Sequence, residues 1–405
     1  MSKRIVIAGA GHAAGQVVAS LRQHAFDGRI VLVGDEACLP YQRPPLSKKF
    51  LAGEMSVEQL SFKPASFYDD AGVERHLGST IASIHRDSRS LAIDGGEAIG
   101  YDKLVLALGS RVRRLRLAGE SLDRVHYLRS IADVDAIRGD MEAGRRLVIV
   151  GAGYIGLEVA AVARQAGLDV TVVEMADRVM SRVVSPEISD FYQIEHTNRG
   201  VRLRLSTGVA GLNGGKRVRS VVTTEGEEIP ADLVVIGVGI VPNSELASAA
   251  GLEVNDGIVV DDRCRTADPD VFAVGDCTRH PNAIYGRMLR LESVHNALEQ
   301  AKTAAANLCA KHAAYCQVPW FWSDQYDLKL QIAGLSQDYD DIVIRGNPAE
   351  RSFSCLYLEE GRLIAVDAIN APRDFIQSKK LIADRAVLRS ERLADAGIPL
   401  QELAT

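Results

Sequence analysis

The sequence predicts an α/β protein built from two Rossmann-like dinucleotide-binding domains and a small α+β domain at its C-terminal end. Three observations carry this. A strand–glycine turn–helix pattern occurs twice, at Ile5–Gln23 and Leu147–Ala166, and each copy is followed by a strand ending in an acid. From residue 326 onward the pattern changes to short alternating runs divided by turn residues, as in antiparallel hairpins.

The chain has 405 residues, which at about 150 residues per domain allows two or three domains. Apolar residues make up 47% and charged residues 25%, an ordinary globular balance that excludes disordered and fibrous classes. Lys and Arg total 47 against 53 Asp and Glu, giving −6, so neither nucleic acid nor an anionic membrane surface is an expected partner. No uncharged apolar run approaches the roughly 18 residues of a membrane span. The first strand begins at Arg4-Ile5-Val6, which leaves no room for a signal peptide, and a cytoplasmic protein is expected. The cysteines (Cys38, Cys264, Cys277, Cys309, Cys316, Cys355) form no C-x-x-C or C-x4-C pair, so neither a redox dithiol nor a metal site is expected.

The first copy runs Ile5-Val6-Ile7-Ala8, then Gly9-Ala10-Gly11-His12-Ala13-Ala14, a helix to Gln23, and the strand Ile30–Val33 ending in Gly34-Asp35-Glu36. The second runs Leu147–Val150, then Gly151-Ala152-Gly153-Tyr154-Ile155-Gly156, a helix to Ala166, and Val170–Val173 ending in Glu174. In such a turn the first glycine (Gly9, Gly151) bends the chain and the second (Gly11, Gly153) admits a pyrophosphate. The third position (Ala14, Gly156) lets helix and strand pack closely. The helix N-terminus offers free N–H groups to phosphate, and the acids Asp35 and Glu174 accept from ribose hydroxyls. Each copy has a further strand ending in glycine, Leu104–Gly109 with Ala107 and Leu233–Gly239. Each of these is preceded by a small meander turning at Asp94-Gly95-Gly96 or Glu225-Gly226.

Two dinucleotide sites in one chain imply a flavin and a nicotinamide. The cluster Asp270–Cys277 ends a strand in Gly275-Asp276, the pair that hydrogen-bonds the ribityl chain of FAD in flavoproteins with two dinucleotide sites. FAD is therefore expected in residues 1–111 and 240–318, NADH in the inserted residues 112–239, and residues 319–405 form the third domain. Glu174 favours a ribose 2′-OH over a 2′-phosphate, hence NADH over NADPH, although Arg178 and Arg182 lie nearby in sequence.

Four motifs occur in order: Tyr41-Gln42-Arg43-Pro44-Pro45-Leu46-Ser47-Lys48, Gly275-Asp276-Cys277, Glu292–Ala297, and Pro319-Trp320-Phe321-Trp322-Ser323-Asp324-Gln325. From residue 4 to about 390 the chain resembles the NADH-dependent ferredoxin reductases of bacterial oxygenase systems. These have a glutathione-reductase-like arrangement and serve a cytochrome P450 or an aromatic-ring dioxygenase. The resemblance implies one FAD per chain, NADH as co-substrate and a [2Fe–2S] ferredoxin as partner. It places Ala13, Asp35, Glu36, Arg43, Lys48, Ile81, Arg129, Asp276, Val294 and Trp322 at FAD, and Ile155, Glu158 and Gly239 at the nicotinamide nucleotide. Lys48, Glu158 and Trp322 are the residues expected to take part in the reaction: Lys48 beside flavin N5, Glu158 on the nicotinamide side, Trp322 over the flavin. Where the family reads Ala-Thr-Gly, this chain has Ala107-Leu108-Gly109.

In the third domain strands are expected at Leu328–Ile332, Asp341–Ile344, Phe353–Leu358 and Leu363–Ala368, the last two turning at Glu360-Gly361. A helix is expected from Pro372 through Arg385. The resemblance implies that this domain roofs the flavin and contributes to the docking face of a small acidic ferredoxin. Arg290, Lys302, Lys329, Lys379 and Lys380 are the candidate basic contacts. A monomer or weak dimer is expected. Two rivals keep the fold. An NADH oxidase or peroxidase would need Cys38. A flavoprotein like apoptosis-inducing factor, which shares the Arg-Pro-Pro-Leu-Ser-Lys stretch, would turn over slowly and signal instead.

Overall fold

The computed structural model describes residues 3–96, 98–388 and 392–404. The chain divides into two compact units: Met1–Arg43, Val57–Arg111 and Val241–Trp320 make the first, and Pro44–Ser56, Val112–Ile240 and Phe321–Thr405 the second.

The first unit is built on a five-stranded parallel sheet in the order Val271–Ala273, Lys103–Leu106, Arg4–Ala8, Arg29–Gly34, Val73–Leu77. Its central strands are buried on both faces, which is why they read as continuous apolar runs. Ile5 and Ile7 point to one side, toward the helices His12–Gln23 and Val294–Leu308. Small residues at that helix contact, Ala13, Ala14, Ala297, Ala301 and Ala304, let the two helices pack closely. Val6 and Ala8 point to the other side, toward Ile84 and Leu91 of a meander formed by Ile81–His85, Ser90–Ile93 and Ile99–Gly100.

The second unit repeats the plan. Its parallel sheet runs Arg202–Arg204, Asp169–Val173, Arg146–Val150, Leu233–Ile236, Val125–Tyr127. The meander Val209–Gly214, Val218–Thr223, Glu228–Pro230 covers one face, packing Leu212, Val221 and Ile229 against Val148, Val150 and Val234. The helices Tyr154–Gln165 and Pro186–Asn198 belong to this half, as does Ile131–Asp140, which opens on a capping box between Ser130 and Asp133.

The C-terminal part is a five-stranded antiparallel sheet ordered Trp320–Gln325, Leu328–Gly334, Arg362–Ile369, Ser352–Glu359, Asp341–Asn347. The helix Pro372–Ala383 buries Phe375, Leu381 and Ile382. Arg345, 2% exposed, binds Asp374 Oδ2 at 3.0 Å and donates to the carbonyls of Leu393 at 3.1 Å and Ile398 at 2.5 Å. A buried guanidinium with every side of its fork engaged thus fastens the C-terminal tail.

Two local expectations change. The strand Trp320–Gln325 lies ahead of the first strand expected in this sheet. Its alternation is inverted: Ser323 and Gln325 are fully buried while Trp320, Phe321 and Trp322 are half-buried. The helix stops at Ala383 and not at Arg385, because Arg385 takes a left-handed conformation, φ 52°.

Candidate functional site

In the first unit the glycine turn joins the strand Arg4–Ala8 to the helix His12–Gln23. Gly9 has φ 110°, and a Cβ there would stand 2.1 Å from the Ala107 carbonyl oxygen, so only glycine fits. Gly11 is the helix N-cap. No side chain caps it, no acid occupies the first turn, and a Cβ on Gly11 would meet nothing within 4 Å. With no side-chain cap and no acid in its first turn, this helix N-terminus carries no internal anion, which suits a diphosphate. By contrast, Ser293 caps the helix that Val294 opens, accepting from Asn296 N at 3.1 Å.

Gly275 lies against this turn, a Cβ on it being 3.4 Å from the Ala13 methyl. Its N–H donates to Gln300 Oε1 at 2.7 Å, and the adjacent Asp276 accepts from Ser110 Oγ at 2.8 Å. The Gly-Asp cluster is thereby fixed beside the helix N-terminus. Asp35 is exposed just past the end of its strand; Glu36 accepts from Tyr41 Oη at 2.6 Å and from Arg43 Nη2 at 2.5 Å. Ala14 is fully buried, Ala107 nearly so, and Ile81 half-buried in the meander. Ser110 and Gln300 escaped the sequence reading, since a lone serine after a strand and a glutamine inside a helix carry no local signal.

In the second unit the turn is reproduced. Gly151 has φ 105° with a Cβ position 2.4 Å from the Gly237 carbonyl oxygen, and a Cβ on Gly156 would stand 2.1 Å from Gly151 O. Gly153 is again an uncapped N-cap facing open space, with no acid in the first turn. Ile155 remains 41% exposed beside it. Glu174 accepts from the backbone N–H of Ala152 at 2.7 Å and of Ala176 at 2.9 Å, which holds its carboxylate at the glycine turn. Arg178 is committed elsewhere: its guanidinium donates to Val184 O, Ser181 O and Ser189 Oγ at 2.7–2.8 Å. Arg182 is exposed, its Nη2 lying 3.7 Å from the Cβ position of Gly239. The chain at Arg129 is set by its N–H donating to Asp133 at 3.0 Å.

Glu158, in the helix that Gly153 opens, is only 1% exposed. Its Oε2 receives Lys48 Nζ at 2.7 Å and Ser47 Oγ at 2.5 Å, and its Oε1 receives Ser323 Oγ at 2.6 Å. Lys48 also reaches Pro44 O at 3.3 Å, within the one-turn 3-10 helix Pro44–Ser47 that two prolines stiffen. Burial raises the Glu158 carboxyl above the usual range, and Lys48, Ser323 and Ser47 pull against that rise. Trp322 is half-buried, next to Ser323 in its strand. The sequence placed Lys48 and Glu158 at the site but not in contact; Ser47 and Ser323 were quoted within motifs and given no role.

All six cysteines are free thiols. Burial pushes the Cys277 thiol up to about 11 and the Cys355 thiol up to about 12, so both stay protonated. Among the candidate docking residues, Arg290 pairs with Glu292 and Asp256, and Lys302 with Glu299. Lys379 lies 5.6 Å from the Phe375 ring, while Lys329 and Lys380 are exposed. Among the described residues no helix is long and apolar enough to cross a membrane, and no group of three or more His, Cys, Asp or Glu is placed to hold a metal.

Residues 3–301 match the family described as pyridine nucleotide-disulphide oxidoreductase, and residues 320–404 the reductase C-terminal family. Putidaredoxin reductase CamA of Pseudomonas putida is 43% identical over 98% of this chain and 96% of its own length. Rhodocoxin reductase of Rhodococcus erythropolis is 44% identical over 98% and 93%. The putidaredoxin reductase–putidaredoxin covalent complex superposes with TM-score 0.96 at 42% identity, covering 99% of this chain and 98% of that one. The ferredoxin reductase for the CYP199A2 system of Rhodopseudomonas palustris gives 0.96 at 44% identity, with full coverage of both.

Proposed function

The chain belongs to the pyridine nucleotide-disulphide oxidoreductase family, among its ferredoxin reductases, and on that premise we propose how its parts divide the work. It is an NADH-dependent oxidoreductase that uses FAD and delivers electrons to a ferredoxin for a cytochrome P450 or a dioxygenase. Bound FAD supplies the conversion between the electron pair of NADH and the single electrons a [2Fe–2S] centre accepts.

FAD belongs to residues 1–111 and 240–318. Gly9, Gly11, Ala13 and Ala14 leave room for the diphosphate, Asp35 takes the ribose and Asp276 the ribityl chain. Glu36 and Arg43 hold the neighbouring loop, and Ala107, Gly275, Ile81 and Val294 complete the pocket. NADH belongs to residues 112–239, with Gly151, Gly153 and Gly156 at the diphosphate, Glu174 at the adenosine ribose and Ile155 and Gly239 along the nucleotide. Residues 319–405 form a third domain. Lys48, Glu158 and Trp322 attend the reacting end. There the protein's work is to hold an ion pair dry and in register, not to donate or abstract a proton.

The observation that carries this reading is the pair of glycine-capped, acid-free helix N-termini, each opening on space at the end of a parallel strand and each with an acid at the end of the next strand. The partner is a small acidic [2Fe–2S] ferredoxin. Lys329, Lys379 and Lys380 are the candidate positive contacts on the C-terminal domain, and Arg290 and Lys302 are candidates that pair with neighbouring acids. The chain is a monomer or weak dimer and acts in the cytoplasm.

The test is anaerobic mixing with NADH, then with a [2Fe–2S] ferredoxin. The yellow absorbance should bleach and then return as the ferredoxin is reduced. A protein that holds no flavin, or holds it and is not bleached, refutes the reading.

A further inference from the structure

We propose that Ser323, itself held by Gln325 and His196, is the positioning residue that fixes the Glu158 carboxylate for Lys48. The inference rests on the reading that this ion pair works at the reacting end of the bound cofactors. Its evidence is a directional chain of buried hydrogen bonds drawn from three separate elements.

A carboxylate only accepts, so the single hydroxyl protons of Ser47 and Ser323 must both point at Glu158. Ser323 Oγ is then left to accept, and Gln325 Nε2 donates to it at 3.2 Å. That fixes the amide of Gln325, whose Oε1 accepts from the Nε2–H of His196 at 2.9 Å. His196 Nδ1 in turn accepts from Tyr326 Oη at 3.3 Å. Ser323 and Gln325 are fully buried and His196 is 1% exposed. Burial pushes the imidazole down to about 4, so it stays neutral with its proton on Nε2. Every donor in the chain therefore points toward Glu158.

Geometry explains why the arrangement holds. Ser323 and Gln325 are two residues apart in one strand and so share a face. His196 comes from the helix Pro186–Asn198 and Glu158 from Tyr154–Gln165. Lys48 and Ser47 load only Oε2. Without Ser323 the buried Oε1 keeps no donor among the described residues, and the carboxylate is free to turn about its last torsion away from Lys48. The phenols of Tyr154 on its own helix and Tyr192 on the neighbouring one also bear on Glu158; burial keeps both protonated.

The full-length flavoprotein, labelled with ¹³C at glutamate carboxyl carbons, gives a direct test. The Glu158 resonance is assigned from its loss in Glu158→Gln and titrated with no NADH present. Ser323→Ala should move its midpoint up by about one pH unit or more, the scale of a hydrogen bond to a charged group. Ser323→Thr, which keeps the hydroxyl, should bring it back toward wild type. His196→Gln should move it in the same direction by less, and it carries the test if Ser323→Ala does not fold. Turnover by Ser323→Ala should fall in kcat with KM for NADH held. A midpoint unmoved in Ser323→Ala, or in His196→Gln where that carries the test, overturns the proposal. Because the titration needs no turnover, a shifted midpoint in a protein that never oxidises NADH sinks the functional reading and not the array. An unmoved midpoint in an active reductase does the reverse.

Discussion

Lys48 Nζ stands 2.7 Å from Glu158 Oε2, an ion pair closed between residues 110 positions apart, with the carboxylate side chain 1% exposed and the lysine 15% exposed. Few isolated buried pairs repay their desolvation, but this carboxylate has two further hydroxyl donors, and its lysine partner directly follows a turn stiffened by Pro44 and Pro45.

Removing one member should cost more than removing both. Lys48→Met leaves Glu158 buried with its countercharge gone and should lower unfolding free energy by about 3 kcal/mol near neutral pH. The double variant Lys48→Met with Glu158→Gln should recover part of that. The sign with pH follows from the raised folded-state carboxyl. Stability contributed by a protonated Glu158 is present below its unfolded value near 4.5 and lost as pH climbs through the higher folded value. Denaturant midpoints of the single variant should therefore fall more steeply than wild type between acid and neutral pH. Parallel curves would contradict the pair's energetic role.

The two glycines of each turn should separate stability from binding. Gly9→Ala forces a methyl to 2.1 Å from Ala107 O at φ 110°, so the first unit should not fold. Gly11→Ala puts the methyl in open space, so the apoprotein should keep its melting temperature yet be purified with little flavin. Gly153→Ala should likewise keep the fold while raising KM for NADH about tenfold or more, the effect of about 1.4 kcal/mol. Normal flavin content in Gly11→Ala would argue against a diphosphate at that turn.

Much of this was legible because it is local. A glycine turn, its strand and its helix are written in about thirty consecutive residues, and the meanders and most of the C-terminal strands follow from alternation and turn residues. The strand Trp320–Gln325 was not, since it buries serine and glutamine while its aromatics stay partly open, against the usual sense. Nor were the Lys48–Glu158 contact, Ser110 on Asp276 or the capture of Arg178 by Val184 and Ser189. All are long-range or loop-closing pairings whose members look like ordinary surface residues one at a time.

Arg178 bears on cofactor choice. With its guanidinium occupied by Ser181, Val184 and Ser189, it has little left for a 2′-phosphate, while Glu174 repels one. NADH should be preferred over NADPH by roughly a hundredfold in kcat/KM, about 2.7 kcal/mol. Glu174→Gln should narrow the gap mainly by weakening NADH use, since it removes a charge without adding a phosphate ligand. If that variant used NADPH as well as wild type uses NADH, Arg182 or another cation would have to be supplying the contact.

A second buried acid sets a pH response of its own. Asp367 is 1% exposed, accepts from Tyr357 Oη at 2.5 Å, and is raised by burial to about 7. Folding therefore favours the protonated acid. Its stabilising contribution is complete below the unfolded value of 3.8 and is lost progressively as pH rises from there through about 7. Asp367→Asn keeps the shape, accepts from Tyr357 through its amide oxygen and cannot ionise. The variant should therefore match wild type at acid pH and exceed it above neutral, with melting temperatures diverging between those limits. Curves that ran parallel across that range would show that Asp367 keeps the same charge in the folded and unfolded chain. The tyrosine hydrogen bond would then be offsetting the cost of burial.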